Sequence, residues 1–316
     1  MKGVVIKSTG SWYLVRTEDT QIHKCRIRGK FRKEGIKSTN PVAVGDLVDF
    51  ELEPNKDTGV ITEIHTRRNY IVRKSVNLSK RTHIIASNID RAFLLVTIDN
   101  PPTSTSFIDR FLVAAEAYHI PVTILFNKVD TFSEETGDIC EELFDIYTSI
   151  GYDCLAISAK EQTQISEVKE LMKDNVTLFA GHSGVGKSTL VNAIEPSLNL
   201  KTLEISEQHK QGQHTTTFAE MHPLSFGGYI IDTPGVKGFG IVDFETEEIA
   251  NYFPEFFELK QQCKFHNCMH LNEPKCAIKG GIEDDTIAPS RYFSYLQMVK
   301  GEDEHFRQDI YAAKKK

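Results

Sequence analysis

Gly181-His182-Ser183-Gly184-Val185-Gly186-Lys187-Ser188, entered from the apolar run Val176 to Ala180 and left through Thr189-Leu190-Val191, decides the fold. A glycine, four residues and then Gly-Lys-Ser is the spacing of a phosphate-binding loop. The glycines admit a tight turn in which backbone N–H groups converge on phosphate oxygens, and a helix opening near Lys187 adds its positive end. Lys187 is then placed to reach the β- and γ-phosphates and Ser188 to ligate Mg²⁺, which makes Gly181 through Thr189 candidate nucleotide-binding residues and Lys187 a candidate catalytic one. Downstream, Tyr229-Ile230-Ile231 ends at Asp232-Thr233-Pro234-Gly235. Asp232 can hold Mg²⁺ through water, and the Gly235 N–H can sense the γ-phosphate.

Upstream lie the pieces that read a base. Asn127, Lys128 and Asp130 follow the apolar run Pro121 to Phe126, and Ser158-Ala159-Lys160 follow Cys154 to Ile157. A fixed carboxylate at Asp130 accepts from the N1–H and exocyclic amine of guanine, a donor pair that adenine lacks, so GTP is favoured over ATP. Asn127 is expected to brace loops, Lys128 to lay its aliphatic stem along the base, and the Ala159 N–H to meet guanine O6. An unpermuted GTPase begins at its phosphate loop; here the base-reading pieces come first, the order of a circularly permuted GTPase.

The remaining strands and helices alternate as in a mostly parallel, doubly wound sheet with its ligand at the carboxyl ends of the strands. Ala92 to Val96 is a strand covered on both faces. Thr105 or Ser106 caps a helix with Phe107, Phe111, Ala114 and Tyr118 on one side, and further helices are expected over Ile139–Ile150, Ile165–Met172 and Lys187–Ile194. Residues 87–240 are assigned to this domain. Residues 1–70 carry short β-branched and apolar segments, Val4-Val5-Ile6, Trp12 to Val15, Val42 to Phe50 and Gly59 to Ile64, separated by turns. Such a pattern fits an OB-type β-barrel. Residues 71–86 are a polar, basic linker, and residues 241–316 form a small α-helical domain with helices near Glu247–Tyr252 and from Ser290.

Composition narrows the partners. Met1 to Arg81 carry 17 Lys/Arg against 9 Asp/Glu, a net of +8, which leaves -15 for the rest of a 316-residue chain of formal charge -7. Lys24, Arg26, Arg28, Lys30, Arg32, Lys33 and Lys37 concentrate that charge, so the barrel either attracts a phosphate backbone or presents a solvated basic loop. Trp12, Tyr13 and Tyr70 are either base-stacking platforms or fillers of the barrel's core and rim. No apolar run is long enough to span a membrane and no signal peptide is apparent, so a cytoplasmic protein is expected. Cys263, Cys268 and Cys276 crowd around His270, with His266 as a competing imidazole. Three thiolates and one imidazole can enclose Zn²⁺ tetrahedrally without an open position, a structural rather than catalytic arrangement.

The motif order, the preceding barrel and the Cys/His cluster together resemble the ribosome-small-subunit-dependent GTPase family, over essentially the whole chain. That resemblance implies GTP hydrolysis coupled to binding and late maturation of the small ribosomal subunit through its rRNA, with the subunit as activator; nothing in the sequence calls for a dimer, so a monomer is expected. It selects His270 as the fourth zinc ligand, in the pattern Cys, four residues, Cys, one residue, His, five residues, Cys. It makes Gly212 to Thr217 the first switch, with one of Thr215, Thr216 and Thr217 closing on Mg²⁺ and His214 serving hydrolysis. His209 and His222 compete for that role. Val236 stands where other GTPases carry a water-orienting glutamine, and the family too is hydrophobic there. Two rivals remain open at this stage: a GTP-regulated RNA-binding module with incidental hydrolysis, and a regulatory GTPase on a protein or membrane surface.

Overall fold

A computed structural model describes residues 1–27, 41–74, 82–199, 219–232 and 245–301. The expected first switch with His214 and Thr215 to Thr217, the residues from Thr233 through Gly235, and the basic residues from Arg28 to Lys37 lie outside the described residues.

The N-terminal unit contains β1 (Lys2–Ser8), β2 (Tyr13–Arg16), β3 (Ile22–Ile27), β4 (Leu47–Leu52) and β5 (Thr58–Ile64). Their order is β1-β2-β3-β5-β4, and β4 pairs back to β1 to close a five-stranded barrel in which only β3–β5 is parallel. Alternation drives the closure: Val5, Tyr13, Val15, Cys25, Val48, Phe50 and Ile61 turn inward to a dry core, while intervening residues face out. Tyr13 is therefore core and not a platform. Trp12 stays at the rim with the Lys24 ammonium 4.5 Å from its ring centroid. β3 was not foreseen as a strand; its His23, Lys24 and Arg26 mask a pattern in which Cys25 alone is fully buried.

Strands β6 (Tyr70–Lys74) and β7 (Thr82–Ser87) pair with each other within the stretch expected to connect the domains. Just beside them a buried ion pair joins barrel to connector. Arg67 donates from Nε and Nη2 to both oxygens of the fully buried Asp46, at 2.6 and 2.7 Å, and Ser87 Oγ donates to the same carboxylate at 2.6 Å.

The central unit is built from β8 (Arg91–Val96), α1 (Thr105–Ala117), β9 (Val122–Asn127), α2 (Glu134–Ser149), β10 (Asp153–Ile157), α3 (Ile165–Met172), β11 (Val176–Ala180), α4 (Lys187–Ile194), β12 (Glu220–Pro223) and β13 (Tyr229–Asp232). Its strands lie in the order β10-β9-β8-β11-β13-β12, parallel except for the edge hairpin of β12 and β13. Period-two alternation explains the two covered faces. Ala92, Leu94 and Val96 of β8 join the core under α1 and α2, whereas Phe93 and Leu95 join the core under α3 and α4. Each such fully buried Leu or Phe contributes roughly 1.5–3 kcal/mol. The cap of α1 is Ser104, whose side chain accepts from Phe107 N, rather than Thr105 or Ser106. α2 starts five residues before the expected Ile139, at a capping box formed by Ser133 and Thr136. A single pair, Lys7 opposite Glu220, continues the central sheet into the barrel, and the two side chains form an ion pair at 2.6 Å.

The C-terminal unit contains a 3-10 helix (Thr246–Tyr252), α5 (Pro254–Leu259), α6 (Ala277–Glu283) and α7 (Pro289–Lys300). Phe253, Phe256, Tyr295 and Met298 pack around Val113 of α1, so this unit is seated on the central one through α1. Among the described residues no helix is long and apolar enough to cross a membrane.

Candidate nucleotide site and metal centre

The sheet order reassembles what the chain order scatters. β9, β10, β11 and β13 end at Asn127, Ile157, Ala180 and Asp232, and all four are parallel, so the loops that follow them emerge at one edge of the sheet. Asn127 links them. Only 1 % exposed, it donates from Nδ2 to Val185 O at 2.8 Å and accepts the Ala159 N–H on Oδ1 at 3.0 Å. One side chain thus ties the phosphate loop to the Ser158–Lys160 loop, and its burial is offset because its amide is bonded on both ends.

Asp130 lies in a one-turn 3-10 helix, Val129–Thr131, where its Oδ1 accepts from Ser158 Oγ at 2.6 Å. The same Ser158 Oγ accepts from Glu161 N at 3.0 Å. The first bond orients the Asp130 carboxylate and the second holds the Ser158 hydroxyl that makes it. Lys128 has a left-handed backbone, φ 72°, which swings its ammonium across to Asn100 O at 2.5 Å and Gly184 O at 2.9 Å. Burial lowers the Lys128 pKa from its ordinary value, opposed by the carboxylates of Asp130 and Asp99. Lys160 is exposed and pairs with Glu161 at 3.4 Å.

The phosphate loop runs from Gly181 to Gly186 into α4. Gly181 and Gly186 have φ of +140° and +100°, and a Cβ on Gly186 would collide with the Asn127 amide, so the turn requires glycine there. Val185 is fully buried as the loop's apolar anchor, whereas Ser183 and Gly184 are exposed. The Lys187 ammonium curls over the loop, donating to Gly181 O at 2.7 Å and His182 O at 2.6 Å. Ser188 and Thr189 open α4, half-buried beneath it. Asp232 closes β13, opposite Glu220 in register, one residue beyond the Leu178–Ile231 pair of β11 and β13.

The β8–α1 loop was missed by the sequence reading. It supplies Asn100 to Lys128, and Pro101 Cδ lies 3.3 Å from where a Gly184 Cβ would be. The available signal was positional: β8 sits between the two halves, so the loop after it had to flank the ligand edge.

In the C-terminal unit, Cys263 Sγ, Cys268 Sγ, Cys276 Sγ and a His270 nitrogen all lie within 4.8 Å of one another. His270 Nδ1 is 3.7 Å from Cys263 Sγ and 3.4 Å from Cys276 Sγ, close to the ~3.5–3.8 Å edges of a tetrahedron whose centre bonds sulfur at ~2.3 Å. His270 is 2 % exposed, which suits a closed site. Burial pushes the Cys268 thiol up to about 12 and raises Cys276, so a cation is what would favour thiolates here. The intervening turn is braced by Glu273, whose carboxylate accepts from Met269 N and Leu271 N, and by Tyr292 and Tyr295, whose hydroxyls donate to His270 O and Met269 O. The four donors fit a metal such as zinc.

The family model described as RsgA GTPase matches residues 64–242, and that described as the RsgA N-terminal domain matches residues 2–61. The chain is 65 % identical over 313 residues to a Flavobacterium johnsoniae protein named small ribosomal subunit biogenesis GTPase RsgA, covering 98 % of this chain and 96 % of that one. A Bacteroides fragilis protein of the same name is 54 % identical over 304 residues, covering 96 % and 98 %. Among solved structures, YjeQ from Thermotoga maritima superposes with a TM-score of 0.78 at 35 % identity, covering 95 % of this chain and 97 % of that one. YloQ, described as a circularly permuted GTPase, gives 0.73 at 32 % identity, covering 96 % and 95 %.

Proposed function

Because the chain belongs to the RsgA GTPase family, we propose that its GTP hydrolysis is coupled to binding and late maturation of the small ribosomal subunit through rRNA contacts. The supporting observation is Asn127, which bonds the phosphate loop and the Ser158–Lys160 loop at once and so joins the base-reading and phosphate-reading halves of a permuted chain.

In this reading Asp130, held by Ser158, receives the guanine N1–H and amine, and the Ala159 N–H meets O6. Lys128 flanks the base while its ammonium keeps the phosphate loop in register. Lys187 leaves its loop carbonyls for the β- and γ-phosphates, and the N–H groups of Ser183 to Ser188 line the phosphate oxygens. Ser188, Asp232 and a threonine among Thr215, Thr216 and Thr217 would hold Mg²⁺, which neutralises charge between the β- and γ-oxygens when bound. Gly235 senses the γ-phosphate, and His214, placed by the subunit, positions the attacking water. Cys263, Cys268, His270 and Cys276 hold zinc structurally, so the C-terminal unit keeps the shape that meets rRNA alongside the basic barrel. The working form is a cytoplasmic monomer.

GTP turnover measured with and without purified small subunits, for the parent and for His214→Ala, tests this reading. Stimulation by subunits that His214→Ala abolishes is expected. Equal turnover with and without subunits removes the activator role, and full stimulation of the variant removes His214.

A further inference from the structure

The first turn of α1 touches two places that the sequence holds far apart. Phe107 lays its ring against His182 of the phosphate loop, with centroids 3.7 Å apart and planes 33° apart. One residue earlier, the buried Ser106 donates from Oγ to Gln297 Oε1 of α7 at 2.6 Å. The Ser104 cap holds the Phe107 N–H at 3.3 Å, so the ring is carried by a fixed backbone. Ser104, Ser106, Phe107 and Gln297 lie outside every nucleotide motif, yet together with His182 they form a wedge between the loop at 181–186 and the C-terminal helices.

A wedge of this kind transmits displacement because packed interiors are nearly incompressible and shift between discrete arrangements. The receiving end is sensitive. Gly181 is hemmed in by Leu95 O, 2.6 Å from where its Cβ would be, so a change in the His182 ring is taken up by the peptides that follow it. Those peptides carry the N–H groups of the phosphate loop, and loss of their alignment is felt directly in ligand affinity.

We propose that Phe107 is a positioning residue for the phosphate loop and that α7, through the Ser106–Gln297 bond, holds Phe107 in place. The C-terminal unit and the nucleotide are thereby coupled along a packed path separate from the chain connection after Asp232. The inference rests on the reading of residues 181–188 as a nucleotide site. Coupling is reciprocal: a partner that shifts α7 changes nucleotide affinity, and nucleotide changes that partner's affinity by the same factor.

Equilibrium titration of the full zinc-loaded chain with a fluorescent GDP analogue tests it, using Phe107→Leu, Gln297→Leu and the double variant, each checked for melting temperature and zinc content. Each single change is expected to weaken binding roughly 2- to 30-fold, and the double variant to bind no more weakly than Phe107→Leu alone. Phe107→Tyr, which keeps the ring, is expected to retain parental affinity. Should Gln297→Leu fold poorly, Ser106→Ala removes the same bond from the other side. Parental affinity in a well-folded Gln297→Leu or Ser106→Ala, or strictly additive effects, would overturn the coupling. A parent that retains no guanine nucleotide would instead sink the phosphate-loop reading on which it stands.

Discussion

Arg291→Met asks what a buried charge does at the seam between the central and C-terminal units. The Arg291 side chain is 1 % exposed, and its partners Asp109 and Glu255 are 0 % and 7 % exposed. Nη1 donates to Asp109 Oδ1 at 2.6 Å, while Nε and Nη2 clasp the two Glu255 oxygens at 2.7 and 3.1 Å. Burial alone would lower the guanidinium's pKa, but Asp109 and Glu255 outweigh it and hold the group protonated. Burial likewise pushes the Asp109 carboxyl up, against the pull of Arg291; with an arginine that does not deprotonate, the ionised pair is the stable form. Methionine fills much of the same volume along the Phe253 ring, which the guanidinium carbon now covers at 4.6 Å, so the lost packing is small. What remains is a buried carboxylate with the Tyr147 hydroxyl still donating at 2.8 Å. Breaking one partner of such a network costs about 3–5 kcal/mol. At about 2–4 °C per kcal/mol for domains of 150–250 residues, the melting temperature should fall by roughly 6–20 °C in scanning calorimetry. Combining Arg291→Met with Asp109→Asn and Glu255→Gln removes the stranded charges and should recover most of that loss. A single variant within about 1 kcal/mol of the parent, or a triple variant no better than the single, would refute the reasoning.

Two further outcomes follow from other sites. The Glu195 carboxylate accepts from Ser197 Oγ at 2.6 Å and Ser225 N at 2.7 Å, bonds that lower its pKa from 4.5 to about 2 and tie the end of α4 to the β12–β13 turn. A depressed folded pKa gives stabilisation that is complete above the unfolded value and lost as pH falls from about 4.5 towards about 2. Urea midpoints should therefore show the parent ahead of Glu195→Gln at neutral pH and the gap closing through that acid window; a gap independent of pH would contradict it. Cys276→Ser removes one of four metal donors, so metal analysis should find stoichiometric zinc in the parent and little in the variant, with residues 245–301 newly open to protease. Equal zinc in both would exclude Cys276 as a ligand.

What the sequence made legible was whatever a local pattern encodes. α3 and α4 begin and end where expected because their apolar periodicity is bounded by glycine or polar residues, and the continuous apolar runs of β8 and β9 announced strands covered on both faces. Boundaries slipped where several residues offered the same chemistry. Ser104, Thr105 and Ser106 can each cap a helix, and the polar first turn of α2 hid its start. Contacts between distant residues left no local trace. Arg291 and Asp109 are 182 positions apart, Lys7 and Glu220 213, and neither pair follows a periodicity or a motif. The candidate nucleotide residues could be named one by one from their motifs, but the Asn127 bonds that join their loops depend on strand order, which the sequence only implied.

The central claim is that scattered segments form one pocket reading guanine above a phosphate cradle, and exchange of one carboxylate oxygen tests it most directly. Competition binding against a fluorescent GDP analogue should show Asp130→Asn losing GTP affinity by roughly 10- to 100-fold while gaining xanthosine triphosphate, whose purine edge offers an acceptor where guanine offers a donor. ATP should compete poorly with both proteins. Unchanged GTP affinity in Asp130→Asn, with no gain for the xanthine nucleotide, would place the base elsewhere and contradict the account.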